Sequence, residues 1–377
     1  LRPDLVIAMM ARYRDLKGPL PFRGWWRNPI AAVFTVKGCS YECVTCGSSQ
    51  TTCTHLTRRQ RPVFRSPASL VANVEAFARL TKGPIALIGD LRQAGPEHAR
   101  EVLERLRSAG VRNEIMFELF GVPPPDFLRD IDRCVTHWSI EFSPESHDQA
   151  VRDAQEGEGD YTTEAMEEML KEALRLRCER LDVFFMIGLP AQTIDSVRAT
   201  VDYCEHLFQL GDARLSCYIS PMGPFLDPGS RGFEEPERFG YRLFARTLEE
   251  HRQLLLQPSW EHILNYETRW MTRRELVDAT YDAAERLNEL KIRYGRISPR
   301  RGRRVAASIA AARALRARLD AGGNAGVDAA LKGEISRFSM STVCDKRELF
   351  WRRRLSSFRI AEAMRILWRN AWGRDDL

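Results

Sequence analysis

The feature that most narrows the fold of this chain is an alternation of two hydrophobic periods. Short apolar runs at 30–36, 84–89, 114–120, 137–142, 180–187 and 214–219 read as strands. Between them, 67–81, 96–109, 125–134, 163–176 and 194–210 carry apolar residues at helical spacing, the first of these opening on Ser66-Pro67, where the proline ring suits a first turn. Six strands in succession, joined by helices, predict a parallel sheet with crossover connections that curls into a full or partial barrel. In that architecture reactive groups gather at the carboxyl ends of the strands.

The loop after the first strand carries the densest chemistry. It reads Val36-Lys37-Gly38-Cys39-Ser40-Tyr41-Glu42-Cys43-Val44-Thr45-Cys46-Gly47, a Cys-x3-Cys-x2-Cys spacing. Three thiols on one short loop point to a bound metal or cluster at Cys39, Cys43 and Cys46, with incidental thiols as the plain alternative. A closed zinc site wants four ligands, and no second Cys-x2-Cys or His-x3-His follows to complete one. A [4Fe–4S] cluster on three cysteines would leave one iron open to an incoming ligand. Cys53 reads as a nearby loop residue. The seven histidines form no ligand set, and only His147 falls near the expected cavity.

This spacing resembles the cluster motif of the radical S-adenosylmethionine (SAM) superfamily, in which the open iron chelates the amino and carboxylate groups of the methionine moiety. The chain departs from that motif at Thr45, where the superfamily usually has an aromatic residue. Six strands also suit the open barrel of that superfamily, so the expected fold class is α/β, a partial (β/α)6 TIM-like barrel with a basic helical C-terminal extension. The resemblance continues at the strand ends. Gly89 and Asp90 stand where a Gly-Gly-Glu-like turn receives the amino group, with one glycine missing. Glu118 ends the third strand. Ser143 and Glu145, in Ser143-Pro144-Glu145-Ser146, resemble the turn that meets the ribose and carboxylate. Arg152 follows as a carboxylate partner, a task suited to its planar fork. Gly188, in Gly188-Leu189-Pro190, resembles the strand end against which the adenine lies. Each acid also reads as a solvated loop charge, and Gly188-Leu189-Pro190 as an ordinary turn.

Across roughly 28–295 the resemblance narrows. Met186-Ile187-Gly188-Leu189-Pro190, Phe225-Leu226-Asp227-Pro228-Gly229-Ser230 and Leu264-Asn265-Tyr266-Glu267-Thr268 look like radical SAM proteins that carry a cobalamin-binding domain ahead of the barrel. The chain holds no Asp-x-His-x-x-Gly cobalt-ligand motif and begins with Leu1 rather than Met, which reads as the later part of a longer polypeptide. The resemblance implies a [4Fe–4S] cluster, S-adenosyl-L-methionine and, through those relatives, cobalamin. It also implies cleavage of SAM to a 5′-deoxyadenosyl radical, with methyl transfer to an unactivated carbon. A small-molecule or lipid substrate and a reduced flavodoxin- or ferredoxin-type electron donor go with that chemistry. The alternatives are the same core acting without cobalamin, and a zinc-stabilised nucleic-acid-binding protein.

Charge divides the chain. Residues 291–377 hold 21 Lys and Arg against 8 Asp and Glu, so a balance of +13 there stands against −7 in the first 290 residues. The expected organisation is a lead-in linker at 1–27, the barrel at 28–230, a helical extension over it at 231–295 and a basic helical region at 296–377. The last helix mixes Trp368 and Trp372 with Arg365 and Arg369, a pattern that either packs on the barrel with solvated arginines or touches an anionic membrane surface. Nucleic acid is the less expected partner. No apolar run reaches the roughly 20 residues of a membrane span. Nine cysteines, mostly scattered, argue against a disulfide framework and for a reducing compartment, the cytoplasm.

Overall fold

A computed structural model describes residues 3–15, 30–157, 160–322, 348 and 359–371. Six parallel strands lie side by side in chain order: β1 (Ala31–Phe34), β2 (Ile85–Ile88), β3 (Ile115–Leu119), β4 (Trp138–Glu145), β5 (Cys178–Ile187) and β6 (Leu215–Pro221). Helices α1 (Pro67–Leu80), α2 (Pro96–Ala109), α3 (Pro125–Cys134), α4 (Thr163–Arg175) and α5 (Ile194–Gln209) make the five crossovers. The sheet is therefore the expected open, six-stranded barrel.

The pleat sorts the side chains. Leu87 on β2, Ile115 and Phe117 on β3, Ile140 and Phe142 on β4, and Val183 and Phe185 on β5 are buried in the hydrophobic core that the crossover helices share. Each is worth about 1.5–3 kcal/mol by the usual area argument. Their alternates, Glu118, Glu141, Ser143, Phe184 and Met186, are only half-buried, and Phe34 on the edge strand is 54% exposed. The inner face is thus polar and open, the condition for a binding cavity.

Local signals place the helices. Ser66 caps α1, with its side chain accepting from Ser69 N, and Pro67 fills the first turn. Thr162 and Thr193 cap α4 and α5 in the same way. Gly110, in the left-handed region, stops α2.

Four elements differ from expectation. The segment after the cysteine loop contains a helix, Gln50–Thr57, capped by Ser49, so Cys53 is helical rather than in a loop. β4 runs three residues past its apolar stretch, to Glu145; its register with β5 shifts between Phe142 and Glu145, where Pro144 brings no N–H to the ladder. β6 runs two residues past Ile219, to Pro221. The extension over the barrel is not all helical: Tyr241–Leu243 pairs antiparallel with Tyr266–Thr268 before the 21-residue helix α6 (Arg273–Arg293).

A further helix, α7 (Pro299–Gly322), packs on α6. The last described helix, α8 (Ile360–Ala371), packs with Pro3–Arg12 against α1 and leaves Met364 and Trp368 exposed beside Arg365. Residues 16–27 of the lead-in linker and Trp372 of the last helix lie outside the described residues. Among the described residues no helix is long and apolar enough to cross a membrane.

Candidate functional site at the barrel mouth

The cysteine loop starts where two strands are locked together. Thr35, buried just after β1, donates its hydroxyl to the carbonyls of Ile88 at 3.1 Å and Gly89 at 3.0 Å. Gly89 sits at φ +99°, and a Cβ there would stand 2.5 Å from Thr35 Oγ1, so no other residue fits. The chain then makes a two-residue pairing with Val63–Phe64 and enters the loop. Cys43 is buried, and Cys39 and Cys46 are half-buried.

Three strand ends fasten this loop. Beyond β2, Gln93 Oε1 accepts from Ser40 N at 2.9 Å and from Ser40 Oγ at 2.7 Å. Beyond β4, Gln155 receives Val44 N on its carbonyl at 2.9 Å and donates its side-chain amide to Thr45 Oγ1 at 2.6 Å. Gly157 lies so close that a Cβ would come within 2.5 Å of Cys43 Sγ. Beyond β6, Asp227 Oδ2 accepts from Gly47 N at 2.8 Å, Gly229 O accepts from Thr52 Oγ1 at 2.8 Å, and Gly232 N donates to Val44 O at 2.8 Å. Arg231 bridges Glu156, at 2.6 Å, and the carbonyl of Glu42.

The donor set suits a cluster. Burial pushes the Cys46 thiol up to about 12 against the help of Ser48 N–H, and the nearby charges of Asp227, Cys39 and Glu145 push the same way. A thiol in this setting ionises for a bound cation rather than alone. Among the described residues no group of three His, Cys, Asp or Glu is arranged to hold a single metal ion. Beside Cys39 a buried amide nitrogen, Gln93 Nε2, has no hydrogen-bond partner among the described residues.

The other expected residues divide between cavity and scaffold. Glu118 and Ser143 face the inner side of the sheet, and Glu118 Oε2 accepts from Gly89 N at 2.5 Å. Glu145 ends β4 at φ +63°, half-buried, within hydrogen-bond reach of Gln155. Burial pushes its carboxyl up to about 7, and burial likewise raises Glu118.

Asp90 is 1% exposed and fully engaged: it accepts from Arg92 N and Arg92 Nε, both at 2.9 Å, and from Phe120 N at 3.1 Å. Its carboxylate builds the turn after β2. Arg152 is 3% exposed and donates to the carbonyls of Ser146 and His147, each at 2.9 Å, and to Gln149 Oε1 at 2.5 Å. These bonds hold the loop after β4, so the fork is taken up by backbone rather than by a carboxylate. The space that a side chain would fill at Gly188 belongs to Tyr266, whose hydroxyl would be 2.9 Å from a Cβ. His147 turns to the helix layer, bonded to Thr200 Oγ1 at 2.9 Å and stacked on Tyr203.

Sequence reasoning named Glu118 but missed its two acidic neighbours. Glu118, Glu141 on β4 and Asp182 on β5 are register neighbours across three strands. Asp182 pairs with Arg180 at 2.6 Å, while Glu141 has no hydrogen-bond or ion-pair partner among the described residues. Burial, then the charges of Glu118 and Asp182, push Glu141 up to about 7 against the pull of Arg180. A carboxyl in that range can take up or release a proton near neutrality. Counting back two residues from Ser143 would have found it.

Residues 33–204 match the family model described as the radical SAM superfamily. Among solved structures, the radical S-adenosylmethionine methyltransferase TsrM from Kitasatospora setae, with tryptophan substrate and a SAM analog (aza-SAM) bound, is 18% identical with a TM-score of 0.51, covering 73% of this chain and 53% of that one. The same protein with cobalamin and a [4Fe-4S] cluster bound is 17% identical with a TM-score of 0.45, covering 58% and 43%. Coproporphyrinogen III oxidase (HemN) from Escherichia coli is 14% identical with a TM-score of 0.37, covering 65% and 62%. The chain spans about half the length of the TsrM structures. No curated protein matches it. The likeness at a TM-score of 0.51 speaks for the fold.

Proposed function

We propose, on the match of residues 33–204 to the radical SAM superfamily model, that Cys39, Cys43 and Cys46 hold a [4Fe–4S] cluster and that the chain cleaves S-adenosylmethionine reductively. The observation that carries this reading is the loop itself: three cysteines on one turn of chain, tied by Gln93, Gln155 and Asp227 to three strand ends at the mouth of an open barrel. When bound there, the cluster supplies one electron to the sulfonium of SAM, which yields methionine and a 5′-deoxyadenosyl radical.

The chain's own part is positioning and exclusion of water. Gln155 and Gly157 fix the backbone at Val44 and Cys43, and Asp227 fixes it at Gly47, so the thiols are set before any cluster arrives. Of the seven residues assigned to SAM by resemblance, Glu118, Ser143 and Glu145 face the cavity and are the ones able to meet its amino, ribose and carboxylate groups. Gly89, Asp90, Arg152 and Gly188 support the walls. Glu141, deeper on the same face, is the group able to exchange a proton with a substrate.

The finer reading is cobalamin-associated methyl transfer to an unactivated carbon of a small molecule or lipid, with a reduced flavodoxin- or ferredoxin-type protein as donor. Its support is the motif resemblance over 28–295.

Anaerobic reconstitution tests the coarser reading. About four iron and four sulfide per chain, with 5′-deoxyadenosine formed from SAM and dithionite, is the expected result; one zinc without sulfide overturns it. Alanine at Cys39, Cys43 or Cys46 should abolish both cluster and deoxyadenosine. Transfer of a trideuteromethyl group from labelled SAM only when cobalamin is added would support the finer reading, and deoxyadenosine formation indifferent to cobalamin would remove it.

A further inference from the structure

We propose that Gln93 donates its side-chain amide N–H to a sulfur of the cluster at Cys39 and so sets the potential at which that cluster takes up its electron. This rests on the cluster reading above and adds a residue to it that no motif contains. Gln93 lies on the one-turn helix Leu91–Ala94 just beyond β2. Its Oε1 accepts from Ser40 N at 2.9 Å, from Ser40 Oγ at 2.7 Å and from Cys39 Sγ at 3.4 Å. A backbone N–H can only donate, so the atom facing Ser40 N is oxygen and the other end of the amide is nitrogen.

That nitrogen, Nε2, is buried and has no acceptor among the described residues. A buried donor left unmet is costly, and this one stands on the same carbon as an oxygen that touches Cys39 Sγ. Once Cys39 is a thiolate bound to iron it no longer donates to Oε1, but the two donors of Ser40 still hold the oxygen in place. Nε2 is then left beside sulfur, an acceptor whose negative charge grows on reduction.

The turn that carries Gln93 is held stiffly. Asp90 caps it and accepts from Arg92 N and Nε, and Arg92 also donates to Gly121 O at 2.6 Å. Asp90 therefore serves the site by fixing Gln93. An N–H aimed at a cluster sulfur stabilises the reduced form more than the oxidised one and makes the potential less negative.

The test uses the full chain, reconstituted anaerobically with 15N in its glutamine side chains and reduced before any SAM is added. Pulsed EPR of the wild type should show a hyperfine coupling to a side-chain 15N. Gln93→Glu keeps oxygens for Ser40 but has no N–H, and should lose the coupling while iron and sulfide content stay at the wild-type value. Gln93→Met, which adds no charge, should lower the reduced-to-oxidised ratio at a fixed potential about tenfold, ~59 mV for a one-electron couple. A wild-type cluster without the coupling, a coupling that persists in Gln93→Glu, or an unchanged potential in Gln93→Met overturns the assignment of Gln93 alone. If the wild type assembles no [4Fe–4S] cluster, the proposed function falls with it.

Discussion

The side-chain amide of Gln155 donates to Thr45 Oγ1 at 2.6 Å, joining the residue in front of the third cysteine to the helix that follows β4. Thr45 is the point at which the loop departs from the usual aromatic residue, and the contact gives that departure a physical role. A hydroxyl there can take a hydrogen bond that a phenyl ring cannot, and Gln155, 1% exposed, directs one amide N–H to it while Glu145 lies within reach of the other. Thr45→Val should cost about 1–3 kcal/mol by leaving that buried donor unmet. Chemical denaturation of the metal-free protein measures it, and an unchanged midpoint would show that the contact is incidental.

Gly157→Ala should impair cluster assembly while leaving the fold intact. The added methyl would meet Cys43 Sγ at 2.5 Å and Cys43 Cα at 3.3 Å, so the cysteine loop must move. Iron and sulfide content should fall with the far-ultraviolet circular dichroism unchanged. Gly223→Ala, whose nearest contact would be at 3.9 Å, is the control and should match the wild type.

Glu141 gives stability a pH dependence of definite sign. Its carboxyl, pushed up from 4.5 to about 7 by burial, holds a proton in the folded state over a range where the unfolded chain has already lost it. The folded state therefore binds more protons between about 4.5 and 7, and stability falls as pH rises through that window. Glu141→Gln should flatten this part of the pH–stability curve. Equal slopes in variant and wild type would place the charge of Glu141 in better contact with water than its burial implies.

Arg92→Met should be strongly destabilising, by about 3 kcal/mol, because it strands the buried Asp90 carboxylate. Arg92→Met combined with Asp90→Asn should recover part of the loss, since the uncompensated charge is then gone. A double-mutant cycle in urea reads both values.

The sequence determined the sheet. Six apolar runs broken by helical periods and by caps such as Ser66, Thr162 and Thr193 are local signals, and they led to six parallel strands within one to three residues of their observed ends. The cysteine loop was equally legible, because its chemistry is written in spacing. Tertiary structure decided which strand-end residues face the cavity. Asp90, Arg152 and Gly188 stand at strand ends like Glu118 and Glu145, yet their partners, Arg92, the carbonyls after β4 and Tyr266, draw them into the walls. Only folding brings Gln93, Gln155 and Asp227, far apart along the chain, onto one loop. It also sets Glu118, Glu141 and Asp182 side by side, since a register between parallel strands is a long-range relation that no local pattern encodes.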